Sequence, residues 1–271
     1  MDRLIEQQSW LLTTQPDHQE ETFMMLVILP SNSSSDYYPN NTLTQFSTHL
    51  PDPITLEGQW EVGLAEIQYP KSWYNIDTGE GWIRLQPRGA HGSTQLVLPA
   101  GQYDTPQQLI GSLNKVIQKV VKNTKIAAEF TYHDITKKTT VKVSPGAVIE
   151  LSPTLTVMLG MSQSRMYRGS HEGVRVVDIN QGFYSLYVYC DVVEPRCVGD
   201  RKVPLLRIVP THGPTGEMIT QSYENIQYIP ILKKHFNTIE INIRKDTGEK
   251  VPFEFGKVVV TLHFRKRRPQ F

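Results

Sequence analysis

The sequence predicts a mainly β protein, a β-sandwich with an α+β segment inserted into it. Three observations carry this expectation. Strand-like runs occupy residues 22–80 and return over residues 172–265. Helix signals cluster between them, in residues 81–171. Turn residues separate the strands at short intervals, as in sandwiches. The chain has 271 residues, 39% of them hydrophobic and 20% charged, which is enough to bury a core without a metal or disulfide staple. A formal net charge of +1 provides no global attraction to nucleic acid or to an anionic membrane.

Residues 1–21 read as an N-terminal arm, rich in Gln and Glu, with one apolar cluster at Trp10, Leu11 and Leu12. The run Phe23–Leu29, closed by Pro30, reads as a strand buried on both faces. It is the longest apolar run, and it is far short of the roughly 20 residues a membrane span needs. The N-terminus lacks the basic, then apolar, pattern of a signal peptide. A polar loop follows at residues 31–41. In Trp60–Tyr69, Trp60, Val62, Leu64 and Glu66 fall on one side and Glu61, Ala65 and Ile67 on the other. The apolar alternation slips near Gly63, which predicts a bulge there.

The middle block opens with a helix. Thr105 suits the N-cap, Pro106 the first helical position, and Gln108 completes a capping box. Leu109, Leu113, Val116, Ile117 and Val120 share a face, and Lys119 and Lys122 sit near the C-terminus, where the helix dipole favours cations. Residues 126–132 and 139–143 read as a hairpin around Asp134–Lys138. Ser152-Pro caps a second, short helix stopped by Gly160. Further strands are expected at 174–179, 183–193, 203–209, 223–231, 238–244 and 257–265. In the second of these, Tyr184, Leu186, Val188 and Cys190 share a face. Asp246-Thr-Gly marks a turn.

Enzyme motifs are missing from the sequence: no Gly-x-Gly-x-x-Gly, Walker loop, Gly-x-Ser-x-Gly or His-Glu-x-x-His is present. The eight histidines are scattered without metal-ligand spacing, and Cys190 and Cys197 match no metal motif and read as reduced thiols. The expectation is therefore no enzyme, no catalytic residue, no metal and no cofactor. Gly213-Pro-Thr-Gly reads as a surface loop, and Asp191 with Glu194 as solvated acids at a strand end. Trp73-Tyr74, after Pro70, is a candidate partner contact, weighed against a satellite core cluster under the loop. The C-terminal residues 266–271 form a basic tail. The run Arg265, Lys266, Arg267 and Arg268 is the one dense charge run, suited to phosphates or to an import signal, or else to blunting an edge strand.

The segment "LEGQWEVGLAEIQYPKSWYNI", after "LPSNSSSDYYPNNTLTQFSTHLP", resembles the N-terminal part of the minor capsid (penton) proteins of Polinton, or Maverick, elements and adintoviruses. "LPAGQYDTPQQLIGSLN", "IELSPTLTVMLGM", "LYVYCDVVEPRCVGDRKVPLLRIV" and "VPFEFGKVVVTLHFRKR" continue the likeness in order, over nearly all of residues 22–268. The resemblance implies a single jelly-roll β-sandwich, assembly into a homopentamer at icosahedral vertices, and a double jelly-roll major capsid protein as neighbour. Location in the virion, with assembly in the host cytoplasm or nucleus, follows from it. The low net charge and the lack of a membrane-length apolar run lead to the expectation of no membrane partner. The arm around Trp10 and the basic tail are then candidates for contacts with the major capsid protein or packaged DNA. Two other readings remain. One is a sandwich that binds a glycan or host receptor through Trp73 and Tyr74. The other is a cupin-type metal enzyme, for which no His-x-His pair is present.

Overall fold

The computed structural model describes residues 24–86, 92–124, 128–162 and 166–267, with the backbone alone at 120–124. The arm 1–21 with Trp10, Leu11 and Leu12, the side chains of Val120 and Lys122, and Arg268 lie outside the described residues. The chain begins with β1 (Met24–Pro30), β2 (Gln45–Thr55) and β3 (Trp60–Pro70). The middle block holds β4 (Trp82–Gln86), β5 (Thr94–Val97), α1 (Pro106–Thr124), β6 (Ala128–His133), β7 (Lys138–Val143), β8 (Val148–Leu151), α2 (Pro153–Met158), β9 (Met166–Tyr167) and β10 (Ser170–Glu172). Then come β11 (Ser185–Cys190), β12 (Arg196–Val198), β13 (Arg201–Val203), β14 (Leu205–Pro210), β15 (Met218–Ser222), β16 (Ile229–Pro230), β17 (His235–Arg244) and β18 (Val259–Lys266).

Eight of these strands make two antiparallel sheets, ordered β1-β18-β3-β15 and β14-β11-β17-β2, with β16 also pairing β3. Counted along the chain, the sheets hold strands one, eight, three and six, and strands five, four, seven and two. That interleaving is a jelly roll. Its core joins Leu29, Val62, Leu64, Ile67 and Tyr69 from one sheet to Phe46, Leu186, Val188, Ile239 and Ile241 from the other. The middle block enters between the third and fourth strands of the roll. It has its own core, running from Ile76 to Tyr167 and built around α1, α2 and two small sheets, β5-β4-β8-β9 and β10-β7-β6.

Helix signals were read correctly in kind. Thr105 Oγ1 accepts from the Gln108 N–H at 3.1 Å, while the Gln108 side chain accepts from the N–H of Asp104, one residue before the cap, at 2.8 Å. Ser152 Oγ accepts from the Leu155 N–H at 3.2 Å, and Gly160 ends that helix at φ +65°. Leu109, Leu113 and Ile117 are buried, as their spacing requires.

Several expectations are corrected. The bulge lies at Ala65, where Thr261 pairs Glu66 but Leu262 pairs Leu64. Gly63 serves a different need: a Cβ there would lie 2.4 Å from Ile226 Cγ2 and 2.6 Å from the Gln227 carbonyl oxygen. The expected strand 223–231 is replaced by β15, just before it, and by the two-residue β16. Pairing to β3 holds as far as Ser222–Glu66, breaks while residues 226–227 cross over Gly63, and resumes at Ile229–Val62. Residues 174–179 are not a strand. The N–H groups of Arg175 and Val177 go instead to the carbonyls of Gly160 and Lys137. Finally, β1 is an edge strand among the described residues, not one buried on both faces. Met25, Val27 and Leu29 turn to the core, but Met24, Leu26 and Ile28 are 61%, 61% and 60% exposed on the other face.

Asn75 ties roll to insertion. Its Nδ2 donates to the carbonyls of Tyr103 and Ile179, both at 2.9 Å, and its Oδ1 accepts from the Tyr103 N–H at 2.9 Å. An Asn75→Ala chain is expected to lose about 3 kcal/mol, because buried backbone groups lose their partners. The urea midpoint checks this, and an unchanged midpoint contradicts the role.

Candidate interaction surfaces

Strand β3 delivers Trp73 and Tyr74 to the end of the roll where the insertion begins. The two side chains part company there. Trp73 is 4% exposed; its ring lies 6.4 Å from Tyr69, 5.1 Å from Phe183 in an edge contact, and 5.8 Å from Phe253. The structure thus places Trp73 in the sandwich core, under the loop. Tyr74 is 43% exposed. It lines a cleft of about 370 Å³ at the end of the roll next to the insertion, together with Asp77, Glu80, Gln181, Lys245 and Asp246.

The basic run divides in the same way. Arg265 belongs to β18. Its guanidinium pairs with Glu61 at 2.6 Å and lies 3.5 Å over the Tyr228 ring. Tyr228 in turn shares a hydrogen bond of 2.7 Å with His263 Nδ1. Burial and the nearby Arg265 cation both hold the His263 imidazole below its ordinary 6.5. Lys266 ends β18 beside Gly58, and the Arg267 N–H donates to the Gln59 carbonyl at 2.8 Å. Both side chains are exposed. Register places these cations at the start of β3, with Lys266 opposite Trp60. Trp73 follows the far end of the same strand, about 33 Å away at 3.3 Å per residue. Lys266 and Arg267 therefore lie at the end of the roll opposite the insertion, and the start of β1 lies beside the end of β18, because Met24 pairs Arg265.

The remaining candidates are structural. Asp191 accepts from the Glu240 N–H at 2.8 Å and forms an ion pair with Lys233, so it pins the loop after β11. Glu194 is exposed. Burial pushes the Cys190 thiol up to about 12, which leaves it protonated and unreactive. Gly213 sits in a turn at φ +85°, its carbonyl accepting from Lys71 at 2.7 Å. Among the described residues, no three of His, Cys, Asp and Glu are grouped to hold a metal ion. Sequence reasoning missed the outward row of β1 altogether. A run of seven apolar residues carries no mark that tells a doubly buried strand from an edge.

No family model matches the sequence, and no curated protein does. Among solved structures, the mavirus penton protein is similar with a TM-score of 0.53 at 11% identity, over 91% of this chain and 100% of that one. The cryo-EM structure of the Sputnik virophage aligns with a TM-score of 0.46 at 10% identity, over 90% of this chain and 98% of that one. The first likeness shows the fold: a jelly roll that aligns with the whole length of the mavirus penton chain.

Two outcomes follow. Trp73→Ala should cost about 3–5 kcal/mol, as large aromatic truncations in cores do. Tyr74→Ala should stay within about 0.5 kcal/mol, as surface changes do. Equal thermal shifts for the two would contradict the placement. For His263, the unfolded imidazole takes its proton near pH 6.5 and the folded one only at lower pH. Its contribution to stability is therefore complete above about pH 6.5 and is lost as pH falls through the folded value. A urea midpoint that drops between about pH 7.5 and 5.5, and drops less in His263→Gln, is the expected pattern.

Proposed function

We propose that the chain is the structural minor capsid (penton) protein of a Polinton-type particle. In this reading it forms a homopentamer at each icosahedral vertex and contacts the double jelly-roll major capsid protein. The observation that carries the reading is the fold-wide likeness to the mavirus penton protein, which includes the whole length of that chain. The sequence resemblance to Polinton and adintovirus pentons supports the same assignment independently. A single roll with a large insertion after its third strand suits a minor component, since one sandwich occupies most of the chain outside the insertion.

In this reading the parts are an arm at 1–21, the roll at 22–80 and 172–265, the insertion at 81–171 and the tail at 266–271. Its mechanism is packing. Identical subunits meet through unlike surfaces, and the contacts close into a ring. The arm, through Trp10, Leu11 and Leu12, contacts the major capsid protein. Lys266, Arg267 and Arg268 reach packaged DNA from the end opposite the insertion. The protein resides in the virion, after assembly in the host cytoplasm or nucleus, and acts without catalysis, cofactor or membrane.

Light scattering of the full 31.0 kDa chain across a concentration series tests this reading. The expected result is a species of five subunits that dissociates to monomer on dilution. A closed two-fold dimer at every concentration would contradict it.

A further inference from the structure

Strand β1 is anomalous for an exposed edge. It is seven residues long, uncharged, and paired to β18 without a bulge from Met24–Arg265 to Pro30–Val259. Natural sheets blunt their edges with charges, bulges or short strands, because an open apolar edge invites pairing with another chain. Here Met24, Leu26 and Ile28 form an outward apolar row about 13 Å long at 3.3 Å per residue.

Charge indicates what covers the row. Exposed cations flank it: Lys257 at the insertion end, and Lys266 and Arg267 at the terminal end. The opposite edge of the same sheet is β15, and exposed acids flank that strand: Glu217 before it and Glu224 after it. None of Lys257, Lys266, Glu217 and Glu224 has an ion-pair partner among the described residues. At the insertion end the heights agree: Met218 pairs Pro70 and Val259 pairs Gln68, so Glu217, just before the β15 edge, stands about level with Lys257, which leads into β18 beside β1. At the other end they differ, since Lys266 pairs Trp60 while Tyr223, next to Glu224, bonds Ala65. Ile28, Thr261, Glu66 and Ser222 form one rung across the sheet. On β15 itself Met218, next to the buried Ile219, is 48% exposed and offers the row an apolar contact.

We propose that the outward face of β1 is covered by the β15 edge of a second copy of this chain, with Lys257 facing Glu217. The contact joins unlike patches, so repetition runs head to tail and makes a ring when the rotation between copies closes. It rests on the ring-forming reading above and names the surface that forms the ring.

Cysteine cross-linking tests it. In a Cys197→Ser background, the double variant Ile28→Cys with Ser222→Cys is oxidised at concentrations where the wild type assembles. The expected product is a covalent ladder ending at five chains, with neither single variant giving more than a tenth of the double variant's cross-linked fraction. Glu217→Lys should weaken assembly at least tenfold, and adding Lys257→Glu should restore it. Four results would overturn the contact. Dimers from Ile28→Cys alone would mean that β1 pairs with β1. A ladder that appears only on deleting residues 1–21 would mean that the chain's own arm covers the row. A five-copy wild type without a ladder would reject this contact and leave the ring reading standing. A wild type monomeric at every concentration would remove both.

Discussion

The register of β3 governs the rest of the structure. A strand's side chains alternate, so a slip of one residue sends an apolar set to the wrong face. Val62 and Leu64 point into the roll, but strict alternation would then bury Glu66 and Gln68 and expose Ile67 and Tyr69. The extra residue at Ala65 reverses the phase, so Ile67 and Tyr69 enter the core and Glu66 turns outward. There Glu66 accepts from Gln68 and Ser222, and these bonds hold its carboxyl below the usual range. The Tyr223 N–H bonds the Ala65 carbonyl as the last rung of β15, and the following segment then passes over Gly63. One inserted residue thus sets the core and the acidic face of the strand.

Some of this was legible in the sequence, and the physics explains which parts. Caps are local: Thr105 and Ser152 satisfy amides within three residues, so spacing alone identifies them. The hairpin around Asp134 and the buried face of α1 are equally local. Pairing is not. The run 223–231 has strand composition, yet its partner strand is interrupted by a bulge and a crossing. The run 174–179 spends its amides on two separate turns. Conversely, β2 carries Pro51 and Pro53 and reads poorly as a strand, yet its edge position tolerates both. The slip near Gly63 was visible, but the residue responsible was not, because a glycine can mark a bulge or a close crossing.

The candidate contact residues follow the same logic. Trp73 and Tyr74 are adjacent and chemically similar, and sequence cannot say which one the strand turns inward. Arg265 and Lys266 are adjacent cations, but one is committed to Glu61 and Tyr228 and the other is exposed. The outward row of β1 is where local and global preferences disagree in the isolated chain. An apolar strand left open at an edge is consistent with a subunit whose folding is completed by assembly.

The geometry also gives the subunit a direction. The insertion lies at one end of the roll and the start of β1 and end of β18 at the other, while the β1 and β15 edges lie on opposite flanks. A component with this plan can meet copies of itself sideways and present different surfaces at its two ends. Cryo-EM of particles assembled with a double jelly-roll major capsid protein tests that plan most directly. The account predicts five copies of this roll around each five-fold axis, flank to flank. Particles whose vertices are closed by another protein, with this chain absent from the purified capsid, would contradict it.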